Sequence, residues 1–302
     1  MSSYDLETAA WPGTYDGAAQ PRKGFFTDTS VCIGCKACEV ACKEWNRVPE
    51  DGLTFTGHSY DNTGALGADT WRHVAFIEQR LPVGLGEEPP RSLAATAAVG
   101  ALAEQSDLPT QLDGGLRWLM SSDVCKHCTS AACLEVCPTG ALFRTEFGTV
   151  VVQQEVCNGC GYCVSACPFG VLDRRKEDGR VWKCTLCYDR LKDDMEPACA
   201  KACPTDSIQF GELDELRDRA RDRVSTLQAA GLKDAHLYLG DEDDGVGGAG
   251  AFFLLLDDPE VYGLPPDPVS TTRDLRSMWR AAATAGAVLA AAVALASAGG
   301  RR

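Results

Sequence analysis

Sixteen cysteines dominate the chemistry open to this 302-residue chain. They fall without remainder into four groups: Cys32, Cys35, Cys38 and Cys42; Cys125, Cys128, Cys133 and Cys137; Cys157, Cys160, Cys163 and Cys167; and Cys184, Cys187, Cys199 and Cys203. The first and third have the spacing C-x2-C-x2-C-x3-C. Three such closely spaced thiolates can wrap three irons of a cubane while their loop amides point at its sulfides. The fourth cysteine, one helical turn on, points away and ligates a neighbouring cluster. The second and fourth groups stretch to C-x2-C-x4-C-x3-C and C-x2-C-x11-C-x3-C, yet both end in Cys-Pro. Pro138, Pro168 and Pro204 set the chain direction out of their ligand turns, whereas Lys43 follows Cys42. Gly159 and Gly161 permit close approach of backbone to sulfide.

Two other uses of cysteine compete with this one. Disulfide scaffolds scatter their cysteines over a small chain, but here they are confined to short runs in a chain large enough to fold without staples. Zinc accepts four thiolates, but structural zinc sites rarely use three at x2, x2 spacing followed by x3 and proline. Four 4Fe-4S clusters are therefore the expected cofactors. His127 lies between Cys125 and Cys128, in a quartet already complete, so it is expected beside the metal or at the surface. Trp45, Trp71, Trp118 and Trp182 are read as packing residues. The sequence holds no phosphate loop, no G-x-G-x-x-G after a strand and only four histidines, which leaves little for acid-base catalysis. Redox chemistry without a substrate site points to electron relay.

Loop length suggests how the quartets pair. The stretch between Cys137 and Cys157, PTGALFRTEFGTVVVQQEV, fits two short strands and a turn, the connection inside a two-cluster ferredoxin. Quartets two and three then form one unit, and quartets one and four form a second that encloses it. With crossed fourth ligands the sets are Cys32/Cys35/Cys38/Cys203, Cys184/Cys187/Cys199/Cys42, Cys125/Cys128/Cys133/Cys167 and Cys157/Cys160/Cys163/Cys137.

The elements that must position these loops read as an α+β body. Residues 1–30 form a polar arm, and 31–210 the four-cluster body, with 84–115 as a surface insertion. Strands are expected in TWRHVAFIEQR (Thr70 to Arg80) and GTVVVQQ (Gly148 to Gln154). An extension over 211–262 holds an amphipathic helix, with Leu213, Leu216, Ala220, Val224 and Leu227 at helical spacing, and a strand at Ala251 to Leu256. Residues 263–272 read as a linker and 273–302 as an anchor, because Ala281 to Ala298 carries no charge. The N-terminal stretch has neither an apolar run nor a twin arginine, so the chain is not expected to direct its own export. A formal charge of -14 argues against nucleic acid as a partner.

The runs CIGCKACEVACKEWN (Cys32 to Asn46), NGCGYCVSACPF (Asn158 to Phe169), VWKCTLCYDR (Val181 to Arg190) and EPACAKACPT (Glu196 to Thr205) closely resemble the iron-sulfur beta subunit of membrane-bound respiratory formate dehydrogenase. The likeness continues through GVGG at Gly245 to Gly248, VYGLPPDP at Val261 to Pro268 and the apolar segment after Met278 and Trp279. The cysteine motifs alone are shared with the beta subunits of other molybdopterin oxidoreductases, some of which hold a 3Fe-4S centre where a ligand is replaced; this chain keeps all sixteen. The resemblance implies two nested ferredoxin-like units and the same pairing of quartets. It also implies a molybdenum or tungsten catalytic alpha subunit that oxidises formate, a cytochrome b-type or other quinone-reducing gamma subunit, and a single-pass membrane attachment with the cluster body outside the cytoplasm. The chain itself would be a non-catalytic relay in anaerobic respiration. The competing readings are the equivalent subunit of a sulfur-compound reductase, nitrate reductase or hydrogenase, and a free multi-cluster ferredoxin, which would need neither the tail nor this length.

Overall fold

The computed structural model describes residues 21–52, 56–57, 60–61, 63–80, 116–241 and 244–299. The expected insertion at 84–115 and most of the arm lie outside the described residues.

A four-stranded sheet in the order β8-β1-β10-β9 forms one side of the body. Its central strands, β1 (Lys23–Asp28) and β10 (Ala251–Leu255), run parallel, while β8 (Ile208–Glu212) and β9 (His236–Tyr238) flank them antiparallel. Strand β10 is a continuous apolar run because both its faces are covered, and Phe25, Phe26 and every residue of β10 are fully buried. Phe26 stacks on Phe252 with centroids 5.3 Å apart. Helix α6 (Leu213–Ala229) packs on β1, burying Leu213, Leu216, Ala220 and Leu227. Each buried leucine contributes roughly 1.5–3 kcal/mol.

A two-stranded antiparallel ribbon, β2 (Arg72–Arg80) with β3 (Leu116–Val124), pairs through nine residues on each strand. Two shorter ribbons, β4 (Leu142–Arg144) with β5 (Val150–Val152) and β6 (Asp173–Arg174) with β7 (Val181–Trp182), separate the cysteine groups. The cysteines themselves lie on or beside short helices: α1 (Ala37–Asn46), α2 (Ala132–Glu135), α3 (Tyr162–Ala166), α4 (Tyr188–Lys192) and α5 (Ala198–Lys201). Helix α1 packs against α5, and α2 against α3. The last element, α7 (Leu275–Gly299), contains 21 residues, Ser277–Ser297, that are long and apolar enough to cross a membrane, and none of them is buried against the body.

Two segments differ from the sequence reading. Residues 23–28, expected in a loose arm, form an interior strand, because Phe25 and Phe26 have nowhere apolar to go except the core. Residues 263–272, read as a linker from their prolines, lie on the body: Tyr238 Oη donates to Pro265 O at 2.6 Å, Ser270 N donates to Gly245 O at 2.9 Å, and Leu264, Ser270 and Thr272 are buried. The tryptophans divide as well. Trp71 is buried and stacks on Trp182, whereas Trp45 and Trp118 are more than a third exposed. Trp45 carries Arg190 over its ring at 4.1 Å and donates from Nε1 to Asp189 at 2.8 Å.

Candidate metal centres

None of the sixteen cysteines is in a disulfide. The fold brings them together in groups that mix quartets. Cys32, Cys35, Cys38 and Cys203 line one cavity with Gly34, Val74 and Ser207. Burial pushes the Cys42 thiol well above its ordinary range, reinforced by its neighbours Cys184, Cys199 and Cys187. Cys128 is raised in the same way by burial and then by Cys125, Cys133 and Cys167. Cys163 is pushed up to about 11 by burial and by Cys137, Cys157 and Cys160. The groups also approach one another. Cys199 acts on Cys38, Cys125 on Cys184, and Cys163 on Cys133.

Crowded buried thiols of this kind resist ionisation unless a cation compensates them, and iron supplies that compensation when thiolates bind it. Among the described residues no three His, Cys, Asp or Glu side chains converge on a point that could hold a single metal ion. A cubane spreads its four ligands over four irons, so it can take thiols from separate loops.

The surroundings fit thiolate and sulfide. Leu186 N donates to Cys184 Sγ at 3.3 Å and Val181 N to Cys157 Sγ at 3.5 Å. Asn46 Nδ2 reaches Cys42 Sγ and Cys187 Sγ, each at 3.7 Å. Buried Arg72 donates from Nη2 to Cys199 Sγ at 3.3 Å, and Ser122 Oγ lies 3.2 Å from Cys38 Sγ. Two buried donors in these surroundings, Arg72 Nε and His127 Nε2, have no partner among the described residues. His127 Nδ1 accepts from Val150 N at 3.1 Å, so Nε2 carries the proton and can be offered to sulfide. Burial, then the charges of Lys183, Arg22, Arg144 and Arg72, hold that imidazole well below its ordinary pKa, hence neutral. It is 1% exposed, so the surface alternative for His127 falls and the place among the thiol loops remains. Backbone geometry adds a further constraint at Gly159, where φ is +71° and a Cβ would collide with the carbonyl of Gly179.

Three fully buried cations among these loops, Arg72, Lys126 and Lys183, escaped the sequence reading. Lys126 follows Cys125 and Lys183 precedes Cys184, so charge inside a ligand run was the available signal. Lys183 Nζ donates to Cys184 O at 2.7 Å and also to Val150 O. Lys126 pairs with Asp123 and lies over the rings of Phe169 and Phe253 at 5.4 and 4.8 Å. Arg72 sits in a strand with no cysteine near it in sequence. Burial works against its charge, yet Cys199, Cys38, Cys184 and Cys42 outweigh burial and hold its pKa above the ordinary value.

Comparison with known proteins agrees with this chemistry. A family described as 4Fe-4S dicluster domain matches residues 116–213, and one described as 4Fe-4S binding domain matches residues 29–45. The nitrate-inducible formate dehydrogenase iron-sulfur subunit of Escherichia coli (strain K12) is 39% identical over 262 residues, covering 84% of this chain and 76% of that protein. The formate dehydrogenase iron-sulfur subunit of Haemophilus influenzae is 39% identical over 245 residues, 80% of this chain and 68% of that one. The B subunit of the anaerobic dimethyl sulfoxide reductase of Escherichia coli (strain K12) is 32% identical over 199 residues, 66% of this chain and 78% of that one. Four cysteine quartets brought together by the fold, 4Fe-4S family matches and relatives alike over most of both chains have one common explanation: this chain belongs to the family of formate dehydrogenase iron-sulfur subunits.

Proposed function

We propose that this chain is the electron-transfer subunit of a membrane-bound formate dehydrogenase, carrying electrons from a molybdopterin catalytic subunit to a cytochrome b-type or other quinone-reducing membrane subunit. The ligand sets are those with crossed fourth cysteines: Cys32/Cys35/Cys38/Cys203, Cys184/Cys187/Cys199/Cys42, Cys125/Cys128/Cys133/Cys167 and Cys157/Cys160/Cys163/Cys137. The observation that carries this reading is that Cys42 has Cys184, Cys199 and Cys187 as its thiol neighbours, far from its own quartet in sequence. The packing of α1 on α5 and of α2 on α3 supports two nested ferredoxin-like units. Each bound 4Fe-4S cluster supplies a one-electron carrier. The chain's own residues hold it: cysteine thiolates bind iron, amides and side-chain donors face sulfur, and buried apolar side chains exclude water. We read the role as relay and not catalysis, because the groups this fold gathers are cluster ligands and the donors around them.

The approaches of Cys38 to Cys199, Cys184 to Cys125 and Cys133 to Cys163 support a single line of centres from the Cys32 set to the Cys157 set. Thr271 Oγ1 donates to Ala166 O at 3.4 Å, which roots the tail on α3, between Cys163 of the Cys157 set and Cys167 of the Cys125 set. We read the Cys32 end as the electron entrance and the tail end as the exit, and take the placement of the body outside the cytoplasm from the family resemblance alone. Higher identity and coverage favour formate dehydrogenase over a dimethyl sulfoxide reductase role.

The complex purified anaerobically should contain, in this subunit, about sixteen irons and sixteen sulfides, the arithmetic of four cubanes, and formate should reduce them. Stoichiometric zinc, or clusters that formate leaves oxidised in the intact complex, would overturn the proposal.

A further inference from the structure

A hydrogen-bonded link joins ligands of two different sets. Ser122 Oγ lies 3.2 Å from Cys38 Sγ. Arg72 Nη1 donates to Ser122 Oγ at 3.3 Å and to Ser122 O at 3.1 Å, and its Nη2 donates to Cys199 Sγ at 3.3 Å. Arg72 is 2% exposed, and its guanidinium carbon lies 4.9 Å from the ring centroid of Phe25. Among the described residues no carboxylate pairs with it. A desolvated charge needs a counter-charge, and the groups within its reach are cysteines of two sets, Cys38 on one side and Cys199, Cys184 and Cys42 on the other.

We infer that Arg72 is a shared counter-ion for the centres held by the Cys32 and Cys184 sets, and that with Ser122 it forms the bonded route by which an electron passes between them. The inference rests on the ligand sets proposed above. A fixed positive charge in a dry interior favours the more negative, reduced state of any centre beside it, so Arg72 raises the potential of both. Ser122 donates to Cys38 and favours the reduced form of the first centre alone. One electron leaves the reduced first centre for the oxidised second. No bond forms or breaks and no proton moves, because guanidinium keeps its proton throughout. Lysine would keep the charge but lose the two-pronged geometry that reaches Ser122 and Cys199 together.

The test is a potentiometric titration of the anaerobically purified complex, followed by electron paramagnetic resonance. Cys38→Ser and Cys199→Ser identify the signals of the two centres. Arg72→Met should move both to lower potential and leave the other two centres in place. Arg72→Lys should return both part of the way, and Ser122→Ala should lower only the Cys38 centre. Unmoved potentials in Arg72→Met with all four clusters retained, or an equal shift of all four, would overturn the inference. Where Arg72→Met fails to assemble, Ser122→Ala decides: no change at the Cys38 centre overturns the bonded route. Should Cys42→Ser and Cys199→Ser disturb different signals, the ligand sets themselves fail and the shared counter-ion with them. Coincident signals combined with unmoved potentials reject the counter-ion alone.

Discussion

At the scale of single residues, the thiol of Cys42 carries the sharpest consequence. It sits on α1 directly after the first three cysteines of its run, yet Asn46, one turn further, spans Cys42 Sγ and Cys187 Sγ. Replacing Cys42 with serine should therefore damage the centre held by Cys184, Cys187 and Cys199 first and spare the Cys32 loop. Spectra that lose only the Cys32 centre would reverse the crossed assignment. Asn46→Leu removes a donor to two ligands of that same centre, so its potential should fall while the iron content stays at the wild-type level. Gly159 offers a backbone test. Alanine there must adopt a φ of +71° and push against the Gly179 carbonyl, a strain of more than about 1 kcal/mol, and the variant should lose iron from the Cys157 set before any other.

Among the elements, α6 and the four-stranded sheet provide the packing that the ligand loops lack. The loops are short helices of four or five residues around α2 to α5, with little apolar surface of their own. Helix α6 instead lays a stripe of leucines on β1, and β1 leads straight into Cys32. Truncating fully buried Leu216 to alanine should cost ~2–5 kcal/mol. Anaerobic thermal denaturation should register this as a lower transition temperature with iron and sulfide unchanged, because α6 packs chiefly on β1, β8 and β9. A loss of clusters in the folded variant would show that the sheet and the loops are less separable than their packing indicates.

For the whole molecule, the decisive feature is a helix that leaves the body unaccompanied. Val288, Leu289, Val293 and Leu295 on α7 are each more than half exposed. At ~1.5 Å per residue, a helix of this length matches a hydrocarbon layer of about 30 Å. Its alanine content makes insertion weak on its own, so packing on a partner helix is the expected state in the membrane. Thr272 is the last buried residue before this helix. Truncation after it should release a cluster-loaded body into the soluble fraction while leaving its absorbance spectrum intact. Recovery of the full-length protein in the soluble fraction of cells that contain its partners would end the anchor reading.

How much of this the sequence determined depends on range. A three-thiol loop is set by residues three apart, so the quartets could be read without coordinates, and so could the strand at Arg72–Arg80 and the helix at Leu213–Ala229, whose periodicities are local. Family resemblance supplied the class of complex. What the sequence could not reveal lies in contacts between distant residues. Arg72 and Cys199 are 127 positions apart and Cys38 and Ser122 are 84 apart, and no local pattern marks such pairs. The same holds for residues 23–28 and 263–272, which look like loose chain because their glycines and prolines are local signals, whereas their burial is decided by the sheet and loops against which they lie. Tertiary structure alone placed buried cations between thiols from different quartets, because only in the folded interior does a charge lose water and need a specific counter-charge.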